Sequence, residues 1–204
     1  MTIHRRALLA GASGLFLAGC ADLVGPPPAP KLYVLAPKFA PQAGASVPFA
    51  LAVQRPDPSG GLDSERIAIV RPPSGLDFYA NAAWSGSVPV LIQDALVEAF
   101  EASGRIASVA RESDGTRSDV LLNSDLRDFE ARYDQGEGAP LAVVRLLIRL
   151  VDSRGRRVLA SAAFVKEVRA SANSVDAAVA ALTEAFAGVV AELVPWVLQQ
   201  NPPR

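Results

Sequence analysis

Leu141-Ala142-Val143-Val144-Arg145-Leu146-Leu147-Ile148-Arg149-Leu150-Val151-Asp152 is the stretch from which the fold can be read. Val144, Leu146, Ile148 and Leu150 share one side of it, while Arg145 and Arg149 share the other. A period of two marks a strand with one face on a core. Ser153-Arg154-Gly155-Arg156 turns the chain, and Val158 to Val168 returns with Val158, Ala160, Ala162 and Phe164 aligned. A connection this short favours an antiparallel pair.

Downstream, Ser174 is placed to cap a long helix, along which Val175, Val179, Leu182, Phe186, Val189 and Leu193 recur at helical spacing. Pro195 is expected to kink or end that helix near Trp196. Upstream, Val120-Leu121-Leu122 opens a strand that continues irregularly through Leu126 and Phe129, and Ile106 to Ala110 forms another. Ser87 is placed to cap a helix that starts near Val88 and Pro89, where proline costs little. Ile92, Leu96, Ala99 and Phe100 are its apolar stripe, and Gly104 ends it. Arg66 to Val70 and Leu76 to Tyr79 form a hairpin through Ser74-Gly75, preceded by a strand at Phe49 to Val53 and a β-prone run at Leu32 to Leu35. The order β-β-β-α-β-β-β-β-α predicts an α/β fold of α+β-like character. It is a single domain over residues 32–200, with one mixed, mostly antiparallel sheet, two main helices and a short tail at 201–204.

The N-terminus reads differently. Arg5 and Arg6 precede an apolar run from Ala7 to Leu17, the charge-then-apolar order of an export signal. The run is too short for a membrane span, which needs roughly 20 residues. Leu17-Ala18-Gly19-Cys20 closes it as a lipobox, so residues 1–19 are expected to be a signal peptide and Cys20 the acylated first residue. Several acyl chains, at about 0.8 kcal/mol per buried CH₂, would make that anchor effectively permanent. Residues 20–31 hold Pro26-Pro27-Pro28 and Pro30, a stiff spacer. Arg5-Arg6 suits either Sec or twin-arginine export. Ala21 follows the cysteine where enteric lipoproteins retained in the inner membrane have Asp, and that resemblance implies the periplasmic face of the outer membrane over the inner membrane.

Composition narrows the chemistry. The chain carries 20 basic and 21 acidic side chains, and losing Arg5 and Arg6 with the signal leaves it mildly acidic. That gives no footprint for nucleic acid. His4, in the signal, is the only histidine, and Cys20 the only cysteine. Imidazole- or thiolate-based catalysis and metal sites are therefore excluded from the mature domain, and no cofactor is expected. A carboxylate mechanism at Asp125, Asp128 or Glu130 survives in principle, against a solvated strand face with Arg127 and Arg132 close by. Trp84, with Phe78 and Tyr79, reads either as a partner or lipid contact or as packing at the helix entry. Arg145, Arg149, Arg154, Arg156 and Arg157 read either as a contact for lipid headgroups or an acidic partner or as a solvated face.

With these elements placed, the sequence resembles the ABC-type transport auxiliary lipoproteins, the PqiC-like family. Four stretches carry the likeness. Tyr33-Val34-Leu35 follows the spacer where the family has a Tyr-rich strand, and Leu62-Asp63-Ser64-Glu65-Arg66-Ile67-Ala68-Ile69-Val70-Arg71 resembles its Leu-basic-x-x-Ile-Val-x-Arg segment, with Ser64 in place of a basic residue. Trp84 stands where the family has a tryptophan before the first helix, though Ser85-Gly86-Ser87-Val88 replaces Ala-Glu-Pro-Leu. Asp125-Leu126-Arg127-Asp128-Phe129-Glu130 fits its Val/Leu-x-x-Phe-acid strand. The resemblance implies a non-enzymatic periplasmic domain and its assembly into a ring-like homo-oligomer. It would serve an MCE-type substrate-binding protein, a permease and an ATPase that move lipid between the two membranes. A regulatory lipoprotein that activates a peptidoglycan enzyme is the competing reading.

Overall fold

The computed structural model describes residues 29–73 and 75–200. The expected signal peptide, Cys20, most of the spacer and the 201–204 tail lie outside the described residues. In chain order the elements are β1 (Lys31–Tyr33), β2 (Val47–Val53), β3 (Asp57–Pro58), β4 (Arg66–Arg71), β5 (Gly75–Trp84), α1 (Val88–Ala102), β6 (Ile106–Arg111), β7 (Val120–Arg132), β8 (Leu141–Asp152), β9 (Val158–Arg169) and α2 (Val175–Gln199). A 3-10 turn at Glu112–Asp114 links β6 to β7.

The 13-residue β7 is the spine of a mixed nine-stranded sheet. Along one edge it pairs with β8 in a long antiparallel ladder, and β8 pairs with β9 in a second. Along its other edge it takes three parallel partners in succession. Leu51 to Val53 of β2 lie beside Val120 to Leu122, Asp57 and Pro58 of β3 beside Asp125 and Leu126, and Ala68 to Val70 of β4 beside Glu130 to Arg132. The sheet forks there: β6 pairs with β2 at one end, and β5, then β1, extend from β4 at the other. The longest ladders are antiparallel; the parallel ones to β6 and β7 arise where the chain crosses over through α1, and β1 lies parallel to β5 before that crossover.

Both helices cover one face. Leu122, Leu126 and Phe129 of β7 and Leu146, Ile148 and Leu150 of β8 share a single buried cluster with Ile92, Leu96 and Phe100 of α1. Leu182, Phe186, Val189 and Leu193 of α2 complete it. α2 is long and apolar enough to cross a membrane by length and composition, but its apolar stripe lies on the sheet.

The helix ends show three ways of satisfying free backbone groups. Ser174 caps α2 as expected, its Oγ accepting from the Ala177 N–H at 3.2 Å. Ser87 occupies the cap position of α1, but its side chain makes no capping bond. There the Val88 N–H donates to the Ser64 carbonyl at 3.0 Å, so the preceding loop does the work expected of a hydroxyl. Gly104, with φ +65°, turns the chain out of α1.

Two boundaries depart from the sequence reading. α2 passes through Pro195 to Gln199 instead of ending near Trp196. Val194, Val197 and Leu198 are buried there, and the Trp196 ring meets Phe164 edge-on at 5.6 Å, so packing holds the last turn together. β5 runs from Gly75 to Trp84, well beyond Leu76 to Tyr79, because a register shift around Asn81 (φ +55°) breaks its alternation and hides the second half. Two short strands, β1 and β3, join the expected order. The β9 edge is blunted by Lys166, which turns towards α2 and pairs with Glu192, a charge that discourages edge-to-edge pairing.

Candidate docking face of the sheet

The face of β7, β8 and β9 opposite the helices carries the carboxylates of β7 and the arginines of β8 singled out from the sequence. A bulge builds it. β7 has one extra residue, Arg127, between the pairs Leu126–Leu146 and Asp128–Arg145. In an unbroken strand Asp125 and Asp128 would point to opposite faces. The extra residue reverses the parity, so Leu126 and Phe129 both enter the core while Asp125 and Asp128 both face outward.

The outward carboxylates are met by arginines. Arg149 grips both oxygens of Asp125, and Arg127 Nη2 donates to Asp125 Oδ2 at 2.8 Å. Arg145 Nε lies 2.7 Å from Asp128 Oδ2, and Arg132 donates to Glu130 at 2.8 Å. The Arg149 hydrogen bond, aided by Arg127, holds the Asp125 carboxyl below the usual carboxylate range despite its partial burial. At the far end Arg169 similarly lowers the Asp134 carboxyl through paired hydrogen bonds. An Asp depressed in this way is the opposite of a general acid, which needs a raised pKa. Among the described residues no group of three or more His, Cys, Asp or Glu side chains is placed to hold a metal ion.

Between the charges lie apolar side chains. Leu147 pairs with Ala163 and Arg145 with Val165, which is 40% exposed; Val143, buried on the same face, lies in register between Glu130 and Glu167. The surface is thus a ladder of ion pairs over a β-branched and aliphatic floor. Such a face can meet a partner with either sign of charge once pairs reopen, and it offers a dry centre.

The other singled-out residues fall elsewhere. Trp84 is 1% exposed and packs against Phe129, with ring centroids 5.6 Å apart, so it is a core residue and not a surface contact. Tyr79 is half-buried, and its hydroxyl lies 2.9 Å from that of Tyr133, which donates in turn to Asn173. Burial, reinforced by Tyr133, pushes the Tyr79 phenol well above its ordinary range. Phe78 is stacked under the Arg66 guanidinium at 3.9 Å. Arg154, Arg156 and Arg157 occupy the exposed β8–β9 turn, where Arg154 reaches Asp119 at 3.4 Å. Cys20 lies outside the described residues. Sequence reasoning missed one clasp altogether: Lys31 Nζ and Tyr33 Oη both donate to Asp176 Oδ1, at 2.6 and 2.7 Å, pinning β1 to the first turn of α2. These partners are about 140 residues apart, and nothing local announces them.

A forked mixed sheet with two helices on one face and an ion-paired opposite face defines a two-layer α/β domain without an evident chemical centre among the described residues. Residues 33–194 match the family model described as ABC-type transport auxiliary lipoprotein component, and the chain belongs to that family. It is similar to the solved structure of a Xanthomonas campestris protein of the DUF330 family. Identity is 34%, coverage is 82% of this chain and 95% of that one, and the TM-score is 0.76. A second solved structure, of an uncharacterised protein, shares the fold at 17% identity, covering 83% of this chain and 99% of that one with a TM-score of 0.65. An uncharacterised curated protein of Bradyrhizobium diazoefficiens is 30% identical over 156 residues, which are 76% of this chain and 41% of that protein. The chain therefore spans less than half the length of that relative.

Proposed function

We propose that this protein is a non-catalytic lipoprotein of the cell envelope that docks on the MCE-type substrate-binding protein of an ABC transporter. In this reading it supports lipid traffic between the inner and outer membranes. The observation that carries the proposal is the family match over nearly the whole described domain. Cys20, acylated, holds the domain to the periplasmic face of the outer membrane, and the 20–31 spacer lets it reach inward. The outward face of β7, β8 and β9, with Arg145 and Arg149, is the surface offered to the partner or to lipid headgroups. Its ion pairs leave the carboxylates occupied, which suits recognition better than proton transfer.

The test is capture from intact cells. With a photo-crosslinker at Val165, the expected product contains an MCE-domain protein, and Arg145→Glu together with Arg149→Glu abolishes it while leaving the fold intact by circular dichroism. Crosslinking to a peptidoglycan synthase instead, or no loss with the charge reversals, would overturn the reading.

A further inference from the structure

The chain enters the fold as an extended ridge. From Tyr33 to Phe39 burial alternates residue by residue: Tyr33, Leu35, Pro37 and Phe39 turn inward, while Val34, Ala36 and Lys38 are exposed. Lys31 and Tyr33 fasten the start of this run to Asp176, so the alternate positions Pro30 and Leu32 point away from α2 and are exposed too. At about 3.3 Å per residue the outward row from Pro30 to Ala36 is roughly 20 Å long.

The composition of that row is inverted. A strand with one solvated face ordinarily turns its polar residues outward. Here every outward position from Pro30 to Ala36 is apolar, and the one charged residue of β1 turns back to pair with Asp176. Val34 and Leu32, at 65% and 63%, are the most exposed large apolar side chains among the described residues. Single exposed aliphatic residues are ordinary, but four in line make a patch. The row ends on Lys38, which is exposed and has no ion-pair partner among the described residues.

What covers the row follows from where the chain comes from. Lys31 lies eleven positions after Cys20, so an acylated Cys20 keeps this ridge within reach of lipid however the rest of the domain is turned. Two aliphatic side chains would recruit a free protein poorly. A tether makes their contact intramolecular, and weak contacts then suffice. A lysine stem can lie along apolar surface while its ammonium reaches polar groups above it.

We infer that the ridge from Pro30 to Lys38 lies on a phospholipid surface, with Leu32 and Val34 set at the boundary of headgroups and acyl chains and the Lys38 ammonium at the phosphates. This contact presupposes the acylated Cys20 of the lipoprotein reading and adds a second hold on the membrane beside it. It also fixes which border of the domain faces the bilayer. β1 lies against lipid, and the ladder of β8 and β9, across β7 from it, stays clear.

The test uses the acylated full chain in vesicles of phosphatidylethanolamine and phosphatidylglycerol. With Cys20 acylated, an introduced cysteine is the only free thiol, and an environment-sensitive dye is attached at Val34→Cys or, as the control, at Val158→Cys in the exposed β9. Lipids brominated near the top of the acyl chain should quench the dye at position 34 about twofold or more above the control. Leu32→Asp with Lys38→Glu, both exposed changes, should bring quenching at position 34 down to the control level while the chain still floats with the vesicles. Equal quenching at the two positions, or quenching that survives the double change, would overturn the inference. So would a dye at position 34 that is shielded from water yet untouched by brominated lipid, which would mark a second copy or another protein on the ridge. Flotation reports the acyl anchor and quenching reports the ridge: a chain that floats unquenched defeats the ridge alone, and one that does not float defeats both.

Discussion

Replacing Trp84 separates core packing from surface contact. Its side chain is 1% exposed and sits against Phe129, which in turn meets Phe186 edge-on with centroids 6.5 Å apart, so the indole links β5 to the β7–α2 layer. Truncation of a buried aromatic costs about 3–5 kcal/mol in lost burial and cavity formation. For a domain of this size that is a drop of roughly 6–20 °C in Tm. Trp84→Phe is the sharper variant. It surrenders part of the ring, on the order of 1 kcal/mol, yet it also removes the indole N–H, which is buried without an acceptor among the described residues and costs about 1–3 kcal/mol. The two effects nearly cancel, so Trp84→Phe should stay within about 1.5 kcal/mol of the parent chain. Urea unfolding followed by circular dichroism measures both variants, and Trp196 remains as a fluorescence probe. An alanine cost below about 1 kcal/mol would refute the reasoning. So would equal costs for the two variants, because the N–H argument requires them to differ.

Other consequences follow from the ladder, the caps and the N-terminus. A double-mutant cycle on Asp125→Ala and Arg149→Ala should give a favourable coupling of about 1 kcal/mol or more; additive effects would show the pair to be idle. Because the folded-state pKa of Asp125 is depressed, its stabilisation is fully present above the unfolded value of about 3.9 and fades as pH falls through the folded value. Asp125→Asn should therefore flatten the acid limb of a stability–pH curve, and an unchanged limb would count against the pairing. Ser174→Ala should cost about 1 kcal/mol in thermal unfolding, whereas Ser87→Ala, which loses no capping bond, should cost only a few tenths. Cys20→Ala should take up no radiolabelled palmitate in cells, and continued labelling would rule out Cys20 as the acylated residue.

The parts of the fold legible in the sequence were those whose signal is local. β8 shows through its alternation, and the β8–β9 hairpin through Ser153-Arg154-Gly155-Arg156. The start of α2 shows through Ser174. What stayed hidden depends on partners far along the chain. Nothing in β2, β3 or β4 says that all three will lie parallel along one edge of β7, since that follows from the crossover through α1. Pro195 carried a true local preference that burial of Val194, Val197 and Leu198 overrides. At the candidate face, the arginines of β8 and the carboxylates of β7 were each visible, and so was the irregularity between Leu126 and Phe129. Their pairing was not, because it turns on a single bulged residue, Arg127, that reverses which side chains face outward. Trp84 was ambiguous for a related reason: an aromatic before a helix looks the same whether it plugs the core or greets a partner.

The same geometry constrains how an acylated chain could present that face. Lys31 lies eleven positions after Cys20, and a proline-rich spacer rises about 3.1 Å per residue, so β1 would ride within roughly 35 Å of the lipid surface. The spacer does not end in a loose loop. Lys31 and Tyr33 fasten to Asp176, and the Lys31 ammonium also lies 4.8 Å over the Tyr33 ring, so any pull on the tether passes into the first turn of α2. Leu32 and Val34, 63% and 65% exposed, alternate with the clasped residues at this edge, where an apolar surface nearby would do least harm. In the strand order β1 stands at the end of the branch through β5 and β4, while β8 and β9 lie across β7 from it. A tether at the first position therefore leaves the ion-paired ladder free of the anchor, so that one domain can hold a membrane at one border and meet a protein across the rest of its sheet.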